Sequence, residues 1–359
     1  MDQTALLDTE RRAASGDSEA RLKLARFHEG RGDFIAARRC LEQGAAAGDV
    51  AAKTALGQLF LVRPGMPVAD GIRLIIEAAQ SGGAEAAHQV AVFAAAGAGI
   101  AQDWTTAFDF LQRAAELGHP RARSSLEIFA GQRGNAAAET RDHWKAVRQA
   151  IDLQKWLTPP PAKSARQSPR IWIVEKFLPV EVCNWLIERA RPKMGPARVY
   201  DKNTAEGNIE EARTNSFTDF NIIENDVVLC MVRQRIATAT GLPLGGMEHT
   251  AVLHYSIGQQ FKPHFDFLDP NIPAYAKEVA ERGQRVSTFL GYLNDGYEGA
   301  ETDFPRADWR YKGGAGDAMF FSNVELSGAP DRQSLHAGLA PTRGEKWLLS
   351  QFIRGQRSP

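Results

Sequence analysis

At 359 residues the chain is long enough for two domains, each with its own core. Its 43 Lys plus Arg balance 43 Asp plus Glu, so no global field draws it to nucleic acid or an anionic membrane, and no run approaches the roughly 18 apolar residues of a membrane span. The opening MDQTALLDTERRAASGD lacks a signal-peptide pattern, and three scattered cysteines (Cys40, Cys183, Cys230) make no disulfide framework, so a reducing cytoplasm is expected. The first 130 residues repeat. Gly16, Gly48, Gly82 and Gly118 are each followed four residues later by alanine (Ala20, Ala52, Ala86, Ala122). Eight residues after each comes an apolar side chain: Leu24, Leu56, Val90 and Leu126. That spacing marks one helix face, where a small residue permits close approach of a neighbouring helix. Leu41, Ile75 and Leu111 precede the last three glycines by seven residues, in the closing helix of each unit. The glycines fall where a helix C-terminus takes a left-handed residue, so each unit reads as helix–turn–helix within an α-solenoid.

Over residues 16–130 this pattern resembles the Sel-like branch of the tetratricopeptide superfamily, with VRPGMPVAD as a longer turn in the second repeat. The resemblance implies a concave binding surface; a rigid spacer or a self-association surface is the alternative use. The stretch AAAETRDHWKAVRQAIDLQKWL predicts a capping helix, which TPPPAKSARQSPR then breaks. The expected organisation is a helical-repeat domain over 1–156, a Pro-rich linker over 157–170 and a second domain over 171–359. In that second part RIWIVEKFL reads as a strand and PVEVCNWLIERARP as an amphipathic helix. TAVLHYSI, RVSTFLGYLN, DAMFFSN and KWLLSQFI read as further strands separated by turns such as Asn294-Asp295-Gly296. Many short strands predict a sandwich or barrel with the leading helices outside.

The chemistry sits in YSIGQQFKPHFDF. On a strand, His264 and Asp266 would share one face. Alone the pair is an ordinary polar couple, but His336 offers a third ligand in a later strand-like run. Two imidazoles and one carboxylate on one face of a metal form the facial triad of non-haem iron(II) oxygenases. Such an iron needs an electron source, commonly 2-oxoglutarate, whose distal carboxylate needs a cation. Alternation places Lys346, Leu348, Ser350 and Phe352 on one face, and a lysine facing an apolar interior is expensive unless it meets an anion. His28, His88, His119 and His143 read as single helix histidines, His254 points away from Tyr255's face, and KGGAGDA reads as a β-turn, not a phosphate loop.

Residues 171–354 resemble the prolyl 4-hydroxylase branch of the Fe(II)/2-oxoglutarate dioxygenases, most of all in HYSIGQQFKPHFDF, RVSTFLGYLNDGYEGAETDFP and SLHAGLAPTRGEKWLLSQFIR. The resemblance implies a double-stranded β-helix (jelly roll), hence an α+β chain: α-solenoid first, jelly-roll oxygenase second. It implies iron held by His264, Asp266 and His336, and 2-oxoglutarate met by Lys346, Tyr255 and Thr288. Dioxygen is the second cosubstrate, and ascorbate is admitted as a further reductant. It implies hydroxylation of a peptidyl residue, foremost proline, with 2-oxoglutarate decarboxylated to succinate and CO2, and a protein substrate held partly by the repeats. Two departures stand out: GAET replaces the usual G-G-E-T, and Phe352 stands where tryptophan is frequent. A lid near residues 197–215 is expected, including Arg213. Hydroxylation of a free amino acid or small metabolite, with the repeats used for oligomerisation, is the alternative. A non-catalytic repeat scaffold is another, opposed by the intact set Tyr255, His264, Asp266, His336 and Lys346.

Overall fold

A computed structural model describes residues 2–131, 140–197, 199–200, 207–208, 213–220 and 224–355. The chain forms two compact units, one comprising Met1–Asp152 with Asp226–Cys230, the other Leu153–Asn225 with Met231–Pro359.

The first unit is a solenoid. Helices Gln3–Ala14, Ser18–Gly30, Phe34–Ala46, Val50–Val62, Val68–Gln80, Ala84–Ala96, Trp104–Glu116 and Pro120–Ala130 each pack on the next. Gly16, Gly48, Gly82 and Gly118 all adopt φ between 83° and 100°, a region that costs any residue with a Cβ. In three of the four turns the next side chain caps the following helix: Asp17 accepts from the Ala20 N–H, Asp49 from Ala52 and His119 from Ala122. The four alanines and the apolar residues four positions later are buried, as are Leu41, Ile75 and Leu111. Arg141–Gln149 packs on the last two repeat helices and buries Trp144 and Val147, as a cap would. Part of the predicted capping stretch, 136–139, lies outside the described residues, and its remainder is two helices, Arg141–Gln149 and Leu153–Leu157.

The second unit is an antiparallel double-stranded β-helix. Its larger sheet runs Lys163–Gln167, Arg170–Val174, Ala318–Ser322, Arg285–Tyr292, Lys346–Arg354, Thr250–Tyr255, Ser216–Phe220, Gly195–Pro196. The smaller runs Trp309–Tyr311, Thr302–Phe304, His336–Gly338, Phe261–His264. Side chains of both sheets, among them Tyr255, Tyr292, Phe304, Phe321 and Leu348, form one core. The linker reading of 157–170 needs correction. Lys163–Gln167 is an edge strand paired antiparallel with Arg170–Val174, and Arg166 Nη2 donates to the Ala307 carbonyl at 2.6 Å. The prolines stop the helix, but the residues after them keep their backbone donors and complete the sheet. Helices Val227–Thr240 and Pro273–Arg282 are additions to the elements read from the sequence.

Within the solenoid, two glycines set a helix–helix approach. A Cβ on Gly57 would lie 2.6 Å from Ile75 Cγ1 and 2.8 Å from the Gly71 carbonyl oxygen. Gly57→Ala should therefore lower stability by about 1–3 kcal/mol. Gly30→Ala, whose Cβ meets nothing within 4 Å, should be neutral or stabilising by up to ~1 kcal/mol. Thermal melts of the two variants check this; a Gly57→Ala midpoint equal to wild type would contradict the contact.

Candidate active site

Strand register brings the site residues together. His336 pairs with His264 across the small sheet, and Lys346 pairs with Tyr255 across the large one. Asp266 follows the end of strand Phe261–His264, so its carboxylate turns back between the two imidazoles. His264 Nε2 lies 3.5 Å from Asp266 Oδ1, and His336 Nε2 lies 3.3 Å from Asp266 Oδ2. The three ligand atoms are all within 4.8 Å of one another.

Tautomers decide what such a group can hold. His264 Nδ1 donates to the Lys262 carbonyl at 2.8 Å, and His336 Nδ1 to the Ser334 carbonyl at 3.0 Å. Each ring's proton is thereby fixed on Nδ1, leaving the Nε2 lone pairs for a shared cation. The rings are tilted 55° to each other, so they are not held in a parallel stack, and their ligand nitrogens both lie near the Asp266 carboxylate. Burial pushes the Asp266 carboxyl up, but His336 and His264 outweigh it and hold the group well below its ordinary range. An ionised carboxylate and two imidazoles, with no thiolate, suit iron(II), which would displace any proton held on Nε2.

A second cluster shows what a misfit looks like. Glu85, His88 and His119 also place ligand atoms within 4.8 Å, although the sequence reads these histidines as solitary. Here the rings stack at 4.3 Å with planes only 16° apart. In-plane lone pairs on near-parallel rings cannot both reach a metal at ~2 Å. His119 Nδ1 moreover accepts from the Ala122 N–H, leaving Nε2 to donate to Glu85 at 3.0 Å. The cluster is a helix cap whose ring is tied to a carboxylate by a hydrogen bond.

A cavity opens beside the triad, and Arg213, Tyr255, Thr302, Lys346 and Phe352 help line it. Lys346 is 1% exposed, and its ammonium donates to the Ala300 carbonyl at 2.8 Å. Ala300 has φ 58°, the left-handed region that explains why glycine is usual in G-G-E-T. Burial pushes the lysine's pKa down to about 7, partly opposed by Glu301. Burial likewise pushes Tyr255 up to about 12. Thr288 departs from expectation. It does not line the cavity; its hydroxyl donates to Asp266 Oδ2 at 2.7 Å. Thr302, three residues after Gly299, is the threonine that lines the cavity, hydrogen-bonded to the Tyr292 hydroxyl at 2.9 Å. The G-A-E-T motif carried that signal, since its threonine opens strand Thr302–Phe304 of the smaller sheet. His254 does face away, to Glu345 at 2.8 Å. Of the expected lid, residues 198, 201–206 and 209–212 lie outside the described residues; Arg213 sits in the cavity wall with its ring-facing guanidinium 4.6 Å from the Phe261 centroid.

Residues 250–354 match the family model described as the 2OG-Fe(II) oxygenase superfamily. Probable prolyl 4-hydroxylase 10 of Arabidopsis thaliana is 34% identical over 205 residues, covering 52% of this chain and 69% of that relative. The chain belongs to the prolyl 4-hydroxylase family. It is a 2-oxoglutarate-dependent dioxygenase that uses Fe(II), 2-oxoglutarate and dioxygen. Among solved structures, the 2-oxoglutarate complex of the viral collagen prolyl hydroxylase from Paramecium Bursaria Chlorella virus-1 is similar over 52% of this chain and 96% of its own, at 25% identity and a TM-score of 0.41. A Sel1 repeat protein from Oxalobacter formigenes is similar over 34% of this chain and 97% of its own, at 26% identity and a TM-score of 0.30. In this prolyl 4-hydroxylase family member the cavity beside the triad is thus walled in part by a buried lysine.

That burial has a measurable sign. Without cosubstrate, Lys346→Met should raise the unfolding midpoint, and by more at pH 6 than at pH 9. Below about 7 the folded protein buries a charge. Above it the folded chain has released a proton that the unfolded chain still holds, so wild-type stability climbs toward the ordinary lysine pKa. The two pH values should differ by on the order of 2–3 kcal/mol in the variant's advantage. Equal gains at both would contradict a buried lysine with a depressed pKa.

Proposed function

We propose that this enzyme hydroxylates prolyl residues of a protein substrate, with His264, Asp266 and His336 holding Fe(II) and Lys346, Tyr255 and Thr302 holding 2-oxoglutarate. The observation that carries the reading is the pairing of a converging two-imidazole, one-carboxylate group with a desolvated lysine in one cavity. Bound iron would supply the oxidising chemistry that couples decarboxylation of 2-oxoglutarate to hydroxylation. The protein's own contributions are separate. The carbonyls of Lys262 and Ser334 hold both Nδ1 atoms and so aim both Nε2 atoms at the metal position, Lys346 neutralises the distal carboxylate, and Phe261, Phe304 and Phe321 around the imidazoles exclude water. Phe352, stacked 4.0 Å from the Arg285 guanidinium, forms the wall on which substrate would rest. Proline as the target is supported by the kinship with Arabidopsis prolyl 4-hydroxylases. We place the reaction in the cytoplasm, a setting that suits an odd, scattered set of three cysteines.

Proline-containing peptides incubated with the protein, Fe(II) and 2-oxoglutarate should gain one oxygen on proline by mass spectrometry, with succinate formed in step. Asp266→Ala should abolish both. Lys346→Ala should weaken 2-oxoglutarate binding about thirtyfold or more, since it strands a carboxylate at roughly 2–5 kcal/mol. Oxygen gained only by free amino acids or metabolites would sink the peptidyl reading while leaving the dioxygenase intact.

The repeats are proposed to hold the substrate protein away from the iron, raising its effective concentration at the cavity. Hydrogen exchange should then show new protection within residues 3–130 when an intact protein substrate binds, and none with a short proline peptide. Protection confined to residues 213–355 with both ligands would refute a docking role.

A further inference from the structure

Behind the triad lies a two-step hydrogen-bond relay on a different strand. Asn323, fully buried just past strand Ala318–Ser322, donates from Nδ2 to Thr288 Oγ1 at 2.9 Å. Thr288, 1% exposed on strand Arg285–Tyr292, donates in turn to Asp266 Oδ2 at 2.7 Å. A hydroxyl has one proton, so an amide donating into its oxygen leaves that proton only one useful direction, toward the carboxylate. The backbone of Asn323 is pinned on both sides. Its N–H donates to the Val286 carbonyl at 2.9 Å, and its own carbonyl accepts from the Asp331 N–H at 2.9 Å. Its side-chain Oδ1 is buried with no hydrogen-bond partner among the described residues, a costly arrangement that a flip of the amide would change.

We propose that Asn323 and Thr288 are positioning residues for the metal-binding carboxylate. Asn323 sets the direction of the Thr288 proton, and Thr288 pins Asp266 Oδ2, leaving Oδ1, the oxygen facing His264, as the carboxylate atom with its lone pairs uncommitted. The relay rests on the assignment of His264, Asp266 and His336 as the metal ligands. Its role is to remove carboxylate rotation before the metal arrives, and so to favour one-oxygen ligation. Removing the Thr288 hydroxyl frees that rotation. Replacing Asn323 by an acceptor reverses the proton and strips Asp266 of its only side-chain hydroxyl donor among the described residues.

The test uses Co(II) as a redox-stable probe on the full-length protein, with its dissociation constant and visible ligand-field spectrum as readouts. Outer-shell losses of this kind cost about 10–100-fold in metal affinity. Thr288→Val should weaken Co(II) binding at least about tenfold and change the spectrum, whereas Thr288→Ser should stay within about threefold of wild type. Asn323→Asp, equal in shape but reversed in hydrogen bonding, should weaken binding about as much as Thr288→Val. A melting curve accompanies each variant, and the near-isosteric Thr288→Ser and Asn323→Asp keep the comparison available if Thr288→Val does not fold. Folded Thr288→Val or Asn323→Asp with wild-type Co(II) affinity and spectrum would overturn the proposal, as would a loss with Thr288→Ser equal to that with Thr288→Val. Asp266→Ala must abolish Co(II) binding at this site; if it does not, the ligand assignment itself fails, separately from the relay.

Discussion

The site depends on one buried carboxylate held between two imidazoles. Asp266 is 6% exposed, and nothing about its burial favours a charge. What keeps it ionised is the pair of histidines at 3.3 and 3.5 Å, and what keeps those in place is a strand register that sets His336 opposite His264. The small sheet therefore acts as an aligning frame. A slip of one residue in either strand would turn one imidazole to the opposite face and leave the carboxylate unpaired. The aromatic residues beside the imidazoles make that frame stiff as well as dry.

The solenoid obeys a different constraint, the closeness of helix axes. Gly57 and Gly71 meet backbone to backbone, and fully buried alanines such as Ala37, Ala52, Ala86 and Ala115 sit among the larger apolar side chains. Small side chains make a stack that tolerates little change in the interior while leaving outward positions unconstrained. A surface of that kind can diversify without disturbing its own fold, which is what a docking element requires.

Much of this was legible in the chain because the governing forces are local. The Gly/Ala repeat reports helix termini and close contacts, both set within a few residues. That His264, Asp266, His336 and Lys346 lie together was legible because strand alternation and the cost of a buried lysine limit the choices. Thr288 shows where such reasoning stops. Alternation gives the face of a strand but not which neighbour that face meets, and here the neighbour is the Asp266 carboxylate, not the cavity. Lys163–Gln167 escaped because its pairing is made by backbone groups under polar, half-exposed side chains. The contact of His88 with His119 joins consecutive repeats, so it exists only once they are stacked. Asn323 carries no sequence signal at all; its importance comes from distances alone.

Ala300 gives the cavity a character that glycine would not. Its left-handed backbone aims its carbonyl at the Lys346 ammonium, at about 1–2 kcal/mol of conformational cost that glycine would not incur. A glycine turn samples many shapes and must surrender that freedom when a ligand orders the lysine. With alanine the turn has fewer shapes to surrender, so more of its entropy loss is taken at folding. The lysine's anchor is in this sense set in advance, and the direction of its ammonium is decided when the chain folds.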